Sequence, residues 1–232
     1  LEVLLDKIGW ENVKAAVKNP LTGRKIGAFC LTEPDAGTDA SRQLATAVDQ
    51  GDHYVLNAHK KFITNGGLAG TYIVFAMTDK CKGNAGISTF IVDGDSEGIR
   101  TGKLEKKMGI RASQTAEMHF ENVIVPKENR LGEPGQGFSI AMGTLDGGRI
   151  GVAAQSLGVA QACLDEAVKY AKERKQFGKY LYEHQGIAFM IADMATKVKA
   201  ARELVYDAAV TKDNGGNSTL ASSMAKYYAS EI

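Results

Sequence analysis

The residues with the clearest chemical potential follow an apolar run and read Leu-Thr-Glu-Pro-Asp-Ala-Gly-Thr-Asp over residues 31–39. Pro34 fixes one backbone dihedral and Gly37 permits conformations closed to other residues, so the pattern predicts a strand that ends in a sharp turn. Thr32, Thr38 and outward-pointing backbone N–H groups would then meet in a small volume. Such donors suit an acceptor-rich ligand, such as a flavin edge or a phosphate. An ordinary polar loop between strands is the alternative interpretation.

A second segment, Lys-Phe-Ile-Thr-Asn-Gly-Gly at residues 61–67, ends another predicted strand. Phe62 could place its ring against a flat cofactor, and Thr64 could donate a hydrogen bond to it. The alternative is a strand that ends in a glycine turn, with Phe62 in the core.

Two further segments lie in helical patterns. Asp146 and Arg149, three residues apart, would project from the same side and flank two glycines that each cost roughly 1 kcal/mol relative to alanine. Close approach of a ligand or backbone would explain these glycines, and an intrahelical ion pair at a kink is the alternative. The cations at residues 172–175 close a helix, where they complement the helix dipole or could bind a phosphate.

The composition excludes several classes of protein. Of the 232 residues, 44% are hydrophobic and 24% are charged. The 28 Lys and Arg residues nearly balance the 27 Asp and Glu residues, so the net charge gives no reason to expect binding to nucleic acid or to an anionic membrane. No apolar run predicts a membrane span. The odd number of cysteines predicts reduced core thiols, and the histidines share no metal-ligand spacing, so no metal is expected. These residues are Cys30, Cys81, Cys163, His53, His59, His119 and His184.

Hydrophobic periodicity predicts an α+β protein. Strands are expected at residues 26–31, 44–49, 53–63, 72–78, 87–92 and 115–125, with a hairpin at residues 50–52, in a mostly antiparallel sandwich or barrel. Two long antiparallel helices with apolar faces at residues 150–171 and 187–208 follow, and a third begins near Ser218. The predicted domains are a partial N-terminal helical region at 1–25, a middle β-domain at 26–128 and a partial up-down helical bundle at 129–232.

Five ordered motifs resemble the acyl-CoA dehydrogenase family, most of all its short-chain, butyryl-CoA-type members. They lie at residues 29–39, 62–67, 109–113, 120–126 and 173–178. The resemblance implies FAD, a homotetramer or dimer of dimers, and electron-transfer flavoprotein as the electron acceptor. It implies the bacterial cytoplasm as the location, or the mitochondrial matrix if the source is eukaryotic.

The same resemblance assigns expected roles to individual residues. Thr64 would bond the flavin near N5, Phe62 stands where many members have Trp, and Thr38 would also approach the acyl-CoA. Asp146 and Arg149 would contact the CoA thioester. The full set of expected cofactor contacts is Phe29, Leu31, Thr32, Thr38, Phe62, Ile63, Thr64, Arg174, Gln176, Phe177, His184 and Gln185, of which Arg174 and Gln176 would reach the FAD of a neighbouring subunit.

The implied reaction is α,β-dehydrogenation of a short-chain acyl-CoA to a trans-2-enoyl-CoA. The family's usual catalytic Glu is expected beyond Ile232, and Gly148 occupies the position that carries the base in a minority of members, so no catalytic residue is assigned. An acyl-CoA oxidase and a non-catalytic homologue that binds CoA esters remain alternatives.

Overall fold

The structure, a computed structural model, describes residue 23 and residues 25–232. The chain divides into two compact units, Leu1–Met142 and Gly143–Ile232. The predicted N-terminal helical region at 1–25 lies outside the described residues, apart from Gly23 and Lys25. Within the described part of the chain, no helix combines the length and apolar character that crossing a membrane requires.

The first unit contains a mixed sheet of eight described strands. They are β1 (Gly27–Cys30), β2 (Thr46–Asp49), β3 (His53–Thr64), β4 (Thr71–Met77), β5 (Ile87–Asp93), β6 (Ile99–Leu104), β7 (Thr115–Pro126) and β8 (Arg130–Leu131). The strand order is β6-β7-β3-β2-β4-β5-β8, and β1 also pairs with β4. The pairings of β1 and β2 with β4 are parallel and the others are antiparallel. The predicted class is confirmed, and the described strands form no closed barrel.

The burial of the side chains in each strand explains whether the sequence predicted that strand. Strand β4 contributes Val74 to one buried cluster and Phe75 to another, because alternate side chains point to opposite faces and both faces are covered. The six predicted strands are confirmed with small shifts at their ends, and the hairpin after β2 closes with a bond from Gln50 N to His53 O of 2.9 Å. Strand β6 was missed because all six of its residues are exposed or half-buried, so it shows no apolar alternation.

The helices follow as α1 (Gly137–Glu173), α2 (Gln185–Asp213) and α3 (Thr219–Glu231). A short hairpin of β9 (Lys175–Gln176) and β10 (Lys179–Tyr180) separates α1 from α2. The helical part of the second unit has its own core, formed by the predicted apolar faces together with α3. Its buried members are Ala153, Leu157, Val198, Ala201, Val205, Ala208, Ala225 and Ala229.

The cysteines do not all lie in the core. Cys30 is fully buried, and this burial raises the pKa of its thiol to about 12. Cys81 and Cys163 are exposed, so the prediction of three core thiols was wrong for these two. Cys81 lies in the short 3-10 segment Lys80–Gly86, and Cys163 lies on α1.

A buried cation joins strand β3 to the Thr32 loop, which comprises residues 31–45. Lys60 is fully buried, and its Nζ lies 2.8 Å from Glu33 Oε1. The same ammonium donates to Leu31 O and Gln43 Oε1, each at 3.1 Å. Burial lowers the pKa of Lys60, while the Glu33 carboxylate opposes this shift. Three oxygen acceptors therefore match the three donors of the ammonium group.

The other member of this pair fixes the far end of the same loop. The Glu33 carboxylate accepts the backbone N–H of Leu44 at 2.6 Å and that of Ala45 at 3.2 Å. Charge-assisted bonds of this kind are shorter and stronger than those between neutral groups. The Lys60–Glu33 pair therefore holds both ends of the Thr32 loop against the sheet.

We expect Lys60→Met to lower the free energy of unfolding by about 3–5 kcal/mol, because the Glu33 carboxylate would remain buried without its charge partner. Denaturant titration followed by circular dichroism measures this change. Lys61→Met is the matched control, since Lys61 forms a partly exposed ion pair with Glu117, worth at most about 1 kcal/mol. Equal losses in the two variants would contradict a special role for the buried pair.

Candidate functional site

The Thr32 loop begins with a tight turn beside strand β3. Glu33 N donates to Ala36 O at 3.1 Å, and Ala36 N donates to Glu33 O at 3.3 Å. Lys61 N donates to Thr32 O at 2.8 Å, which joins the start of the loop directly to the end of β3. The two segments that the sequence marked as companions are therefore neighbours in the fold.

The outer part of this loop offers free donors, as its composition predicted. Gly37 and Thr38 are exposed, and their backbone N–H groups have no hydrogen-bond acceptor among the described residues. Thr32 is half-buried at the base of the loop. The chemistry of this set, with amide and hydroxyl donors and no metal-binding group, suits an anionic or acceptor-rich ligand.

Strand β3 carries a strained aromatic residue at a bulge. Its pairing with β7 shifts register between Lys60 and Ile63, and Phe62 has a φ of 57°. A bulky residue in the left-handed region is an outlier that carries a cost in energy. The Phe62 side chain is 58% exposed, so the alternative that placed it in the core does not hold. The bulge turns this ring outward, while Ile63 enters the core at 2% exposure.

A turn after the bulge presents Thr64 at the surface. Strand β3 ends at Thr64, and Asn65 follows with a φ of 63°. The Nδ2 of Asn65 donates to Gly27 O at 3.0 Å. Gly67 has a φ of 79°, and a Cβ at this position would lie 2.7 Å from Thr101 Oγ1. The exposed Thr64 hydroxyl is therefore held on a turn that tolerates little change.

Three of the predicted contact residues have side chains that point inward. Leu31 is 8% exposed and Ile63 is 2% exposed, so only their backbone atoms can face a ligand. Phe29 is half-buried and packs on Phe75, with ring centroids 4.9 Å apart. Their assigned roles remain predictions, and for Leu31 and Ile63 they are limited to main-chain contacts.

The second unit brings a separate group of predicted residues together around the β9–β10 hairpin. Phe177 and Gly178 at its tip have φ values of 51° and 76°, the conformation of a tight hairpin turn. Phe177 is 94% exposed, and its ring meets that of His184 edge to face at 6.4 Å. A ring nitrogen of His184 lies 3.1 Å from Gln176 O. The hairpin therefore carries an exposed aromatic ring at its tip, and His184 contacts both this ring and the backbone of Gln176.

Two more predicted residues border this hairpin. Arg174 and Gln185 are exposed, at the end of α1 and at the first residue of α2. Leu181 N donates to the main-chain oxygen of Arg174 at 2.9 Å, which fixes the backbone of Arg174 and leaves its guanidinium exposed. The hairpin, Arg174 and Gln185 form a surface that can contact another molecule.

Asp146 and Arg149 form the intrahelical ion pair that was one of the two interpretations of their spacing. Asp146 also accepts a hydrogen bond from Thr219 Oγ1 at 2.6 Å, which ties α1 to the start of α3. Helix α1 continues through both glycines. A Cβ at Gly147 would clash with Nζ of Lys212 on α2, whereas a Cβ at Gly148 would meet no atom within 4 Å. Close approach therefore applies to Gly147 and not, among the described residues, to Gly148.

Sequence reasoning missed a group that the sheet assembles. His59 on β3 lies directly opposite His119 on β7, and Glu117 lies near both. The expectation of no metal, which rested on spacing along the chain, stays a prediction, but strand pairing brings together residues that are distant in the chain. The alternation of Glu117 and His119 in one predicted strand was a signal, but only the register supplies the third member.

Comparison with known proteins agrees with these observations. The chain is 58% identical over 96% of its length to the caffeyl-CoA reductase-Etf complex subunit CarC of Acetobacterium woodii, and covers 59% of that protein. It is 56% identical over 97% of its length to a short-chain specific acyl-CoA dehydrogenase of Megasphaera elsdenii, and covers 60% of it. The chain therefore spans about 60% of the length of these curated relatives.

The fold and the family models lead to the same assignment. The solved structure of butyryl-CoA dehydrogenase from Megasphaera elsdenii matches with a TM-score of 0.92 at 54% identity, over 98% of this chain and 60% of that one. Residues 28–123 match the acyl-CoA dehydrogenase middle domain, and residues 135–232 match the acyl-CoA dehydrogenase C-terminal domain. This chain belongs to the acyl-CoA dehydrogenase family.

Proposed function

We propose that this chain is part of an FAD-dependent enzyme that removes hydrogen from the α and β carbons of a short-chain acyl-CoA and passes the electrons to an electron-transfer flavoprotein. The observation that carries the proposal is the exposed, strained Phe62 beside Thr64 and the Thr32 loop. Backbone strain of this kind clusters at functional sites. The family implies FAD, and similarity to a short-chain dehydrogenase supports the substrate class.

The residues present fit the chemistry of FAD. The free N–H groups of Gly37 and Thr38 can donate to the pyrophosphate, the Phe62 ring can pack on the flavin, and the Thr64 hydroxyl can bond its edge. Thr32 would support the same edge from the base of the loop. When bound, FAD would supply the redox chemistry by accepting the electrons that leave the acyl chain.

The hairpin of the second unit has a different proposed role. We assign Arg174, Gln176 and Phe177 to the FAD of a neighbouring subunit, with His184 and Gln185 supporting them. Their exposure supports contact with another molecule, and it fits a homotetramer built as a dimer of dimers. The assignment of residues 26–128 and 129–232 to separate domains is likewise a proposal.

Asp146, Arg149 and Thr38 are the proposed contacts to the acyl-CoA. The ion pair between Asp146 and Arg149 holds the guanidinium in a defined position, so that it can orient a polar group of the substrate. The protein groups would hold the thioester in place and exclude water. No residue of this chain is assigned as the base that removes the α-proton.

A second candidate is the reverse reaction, reduction of an α,β-unsaturated acyl-CoA. The name of the Acetobacterium woodii relative, a caffeyl-CoA reductase subunit in a complex with Etf, favours it. The same residues would position either substrate, because the two reactions share one transition state. The Etf complex of that relative also supports the proposed electron partner.

The proposed activity is tested on the protein expressed from its complete reading frame. Under anaerobic conditions we expect butyryl-CoA to bleach the flavin absorbance, and added electron-transfer flavoprotein to restore it. Restoration of the colour by an arylacrylyl-CoA faster than bleaching by butyryl-CoA would favour the reductase. Rapid reoxidation in air would instead identify an oxidase. A flavin that responds to no acyl-CoA would contradict the proposal.

Replacing Phe62 by glycine separates cofactor binding from stability. We expect Phe62→Gly to raise the FAD dissociation constant about tenfold, since an aromatic packing partner is lost. The free energy of unfolding of the apoprotein should stay the same or rise by up to about 1 kcal/mol, because glycine relieves the left-handed strain. Phe62→Trp is the control and should bind FAD as the parent does. Unchanged FAD binding in Phe62→Gly would remove Phe62 from the site.

Arg174→Ala tests the proposed contact with FAD from the second unit. We expect the FAD dissociation constant to rise roughly tenfold or more, because a charged hydrogen bond contributes about 1.5–3 kcal/mol. Lys172→Ala is the matched control, since Lys172 is an exposed cation in the same last helical turn. Equal binding of FAD by both variants would contradict the proposed contact and would leave Arg174 only as a charge that complements the helix dipole. Fluorescence titration with FAD measures both constants.

A further inference from the structure

We propose that His59, His119 and Glu117 form a site for one divalent transition-metal ion, with Zn²⁺ as the representative ion. The three side chains come from the neighbouring strands β3 and β7. Their candidate ligand atoms all lie within 4.8 Å of one another. The proposal does not depend on FAD, on a substrate or on the proposed activity.

Strand register explains why these residues meet. His59 on β3 and His119 on β7 are direct partners across an antiparallel pair, and Glu117 lies two residues before His119 on the same face of β7. The two imidazole rings stack with centroids 4.3 Å apart and an angle of 16° between their planes. Ring nitrogens bind metals through lone pairs in the ring plane, so the two rings must rotate out of this stacked arrangement for one nitrogen of each to point to a common position.

The Glu117 carboxylate can add a third ligand without losing its ion pair. Its Oε1 lies 3.3 Å from the ammonium of Lys61, whereas its Oε2 lies 3.7 Å from His59 Nε2. In a tetrahedral zinc site the ligand atoms are roughly 3.3 Å apart, as bond lengths near 2.0–2.1 Å require. Rotation of the two rings out of the stack, together with rotation of the Glu117 side chain, would bring the three ligand atoms to this separation.

The neighbouring cations do not occupy the position between the ligands. Arg100 on β6 is the strand partner of His119, but its guanidinium pairs with Glu121. Lys61 is held by Glu117 Oε1 and by the ring of Phe62, 5.4 Å from its centroid. Arg100 therefore has a partner outside the site, whereas Lys61 pairs with the oxygen of Glu117 that the proposed ion would not use.

The types of the three side chains also suit a metal ion. Two imidazoles and one carboxylate are a ligand set used by Zn²⁺ and its neighbours, and a water molecule can complete the coordination.

Zinc binding by the complete, tag-free protein provides the test. After treatment with a chelator, the protein is titrated with ZnCl₂ in competition with a chromophoric zinc indicator. We expect the site to be lost in His59→Gln and His119→Gln, with at least tenfold weaker binding, since even outer contacts of metal ligands contribute about 10–100-fold in affinity. Glu117→Gln should weaken binding by a similar factor.

His53→Gln is the matched control, because His53 lies on the same strand as His59 and pairs with the exposed Asp52. Its zinc affinity and stoichiometry should equal those of the parent. Electron paramagnetic resonance with Cu²⁺ gives a second readout, in which two imidazole nitrogens are expected in the parent and one in His59→Gln. The proposal fails if His59→Gln and His119→Gln bind Zn²⁺ as His53→Gln does, or if their Cu²⁺ spectra match that of the parent.

Discussion

The buried contact between Lys60 and Glu33 is the interaction on which the candidate site depends. Removing two charges from water costs several kcal/mol for each ion, and this cost is offset only when the geometry is good and every donor finds an acceptor. Lys60 meets this condition with three oxygens, all of them from the loop that follows β1. The bulge at Phe62 follows Lys60 on the same strand, so the position of the loop and that of the exposed Phe62 ring both depend on β3.

Exposed aromatic residues on strained backbone occur in both units. Phe62 lies at a strand bulge and Phe177 at a hairpin tip, and both have positive φ and large exposed areas. Folding alone gives no reason to place a large apolar ring in water on a costly conformation. Contact of Phe62 with a flat cofactor, and of Phe177 with a neighbouring subunit, would explain why both rings are exposed on strained backbone. This explanation is the physical basis of the proposed function.

Sequence periodicity predicted the elements that have at least one apolar face. Strands β3, β4, β5 and β7 and the apolar faces of the long helices carry enough buried side chains to be recognised. Strand β6 has no such pattern, and its existence depends on pairing with β7. The predicted core positions of Cys81 and Cys163 failed for a related reason, because a local apolar neighbourhood in the chain does not define what covers a side chain in space.

By itself, the sequence determined the order of its motifs, and with it the family, the α+β class and the residues worth testing. Only the tertiary structure decided that Lys60 is buried, that Phe62 faces outward and that His59, His119 and Glu117 meet. Each of these outcomes depends on strand register and on one bulge, since a shift of a single residue in a strand reverses the face that every side chain presents. Register is set by contacts between segments far apart in the chain, so local patterns do not contain it.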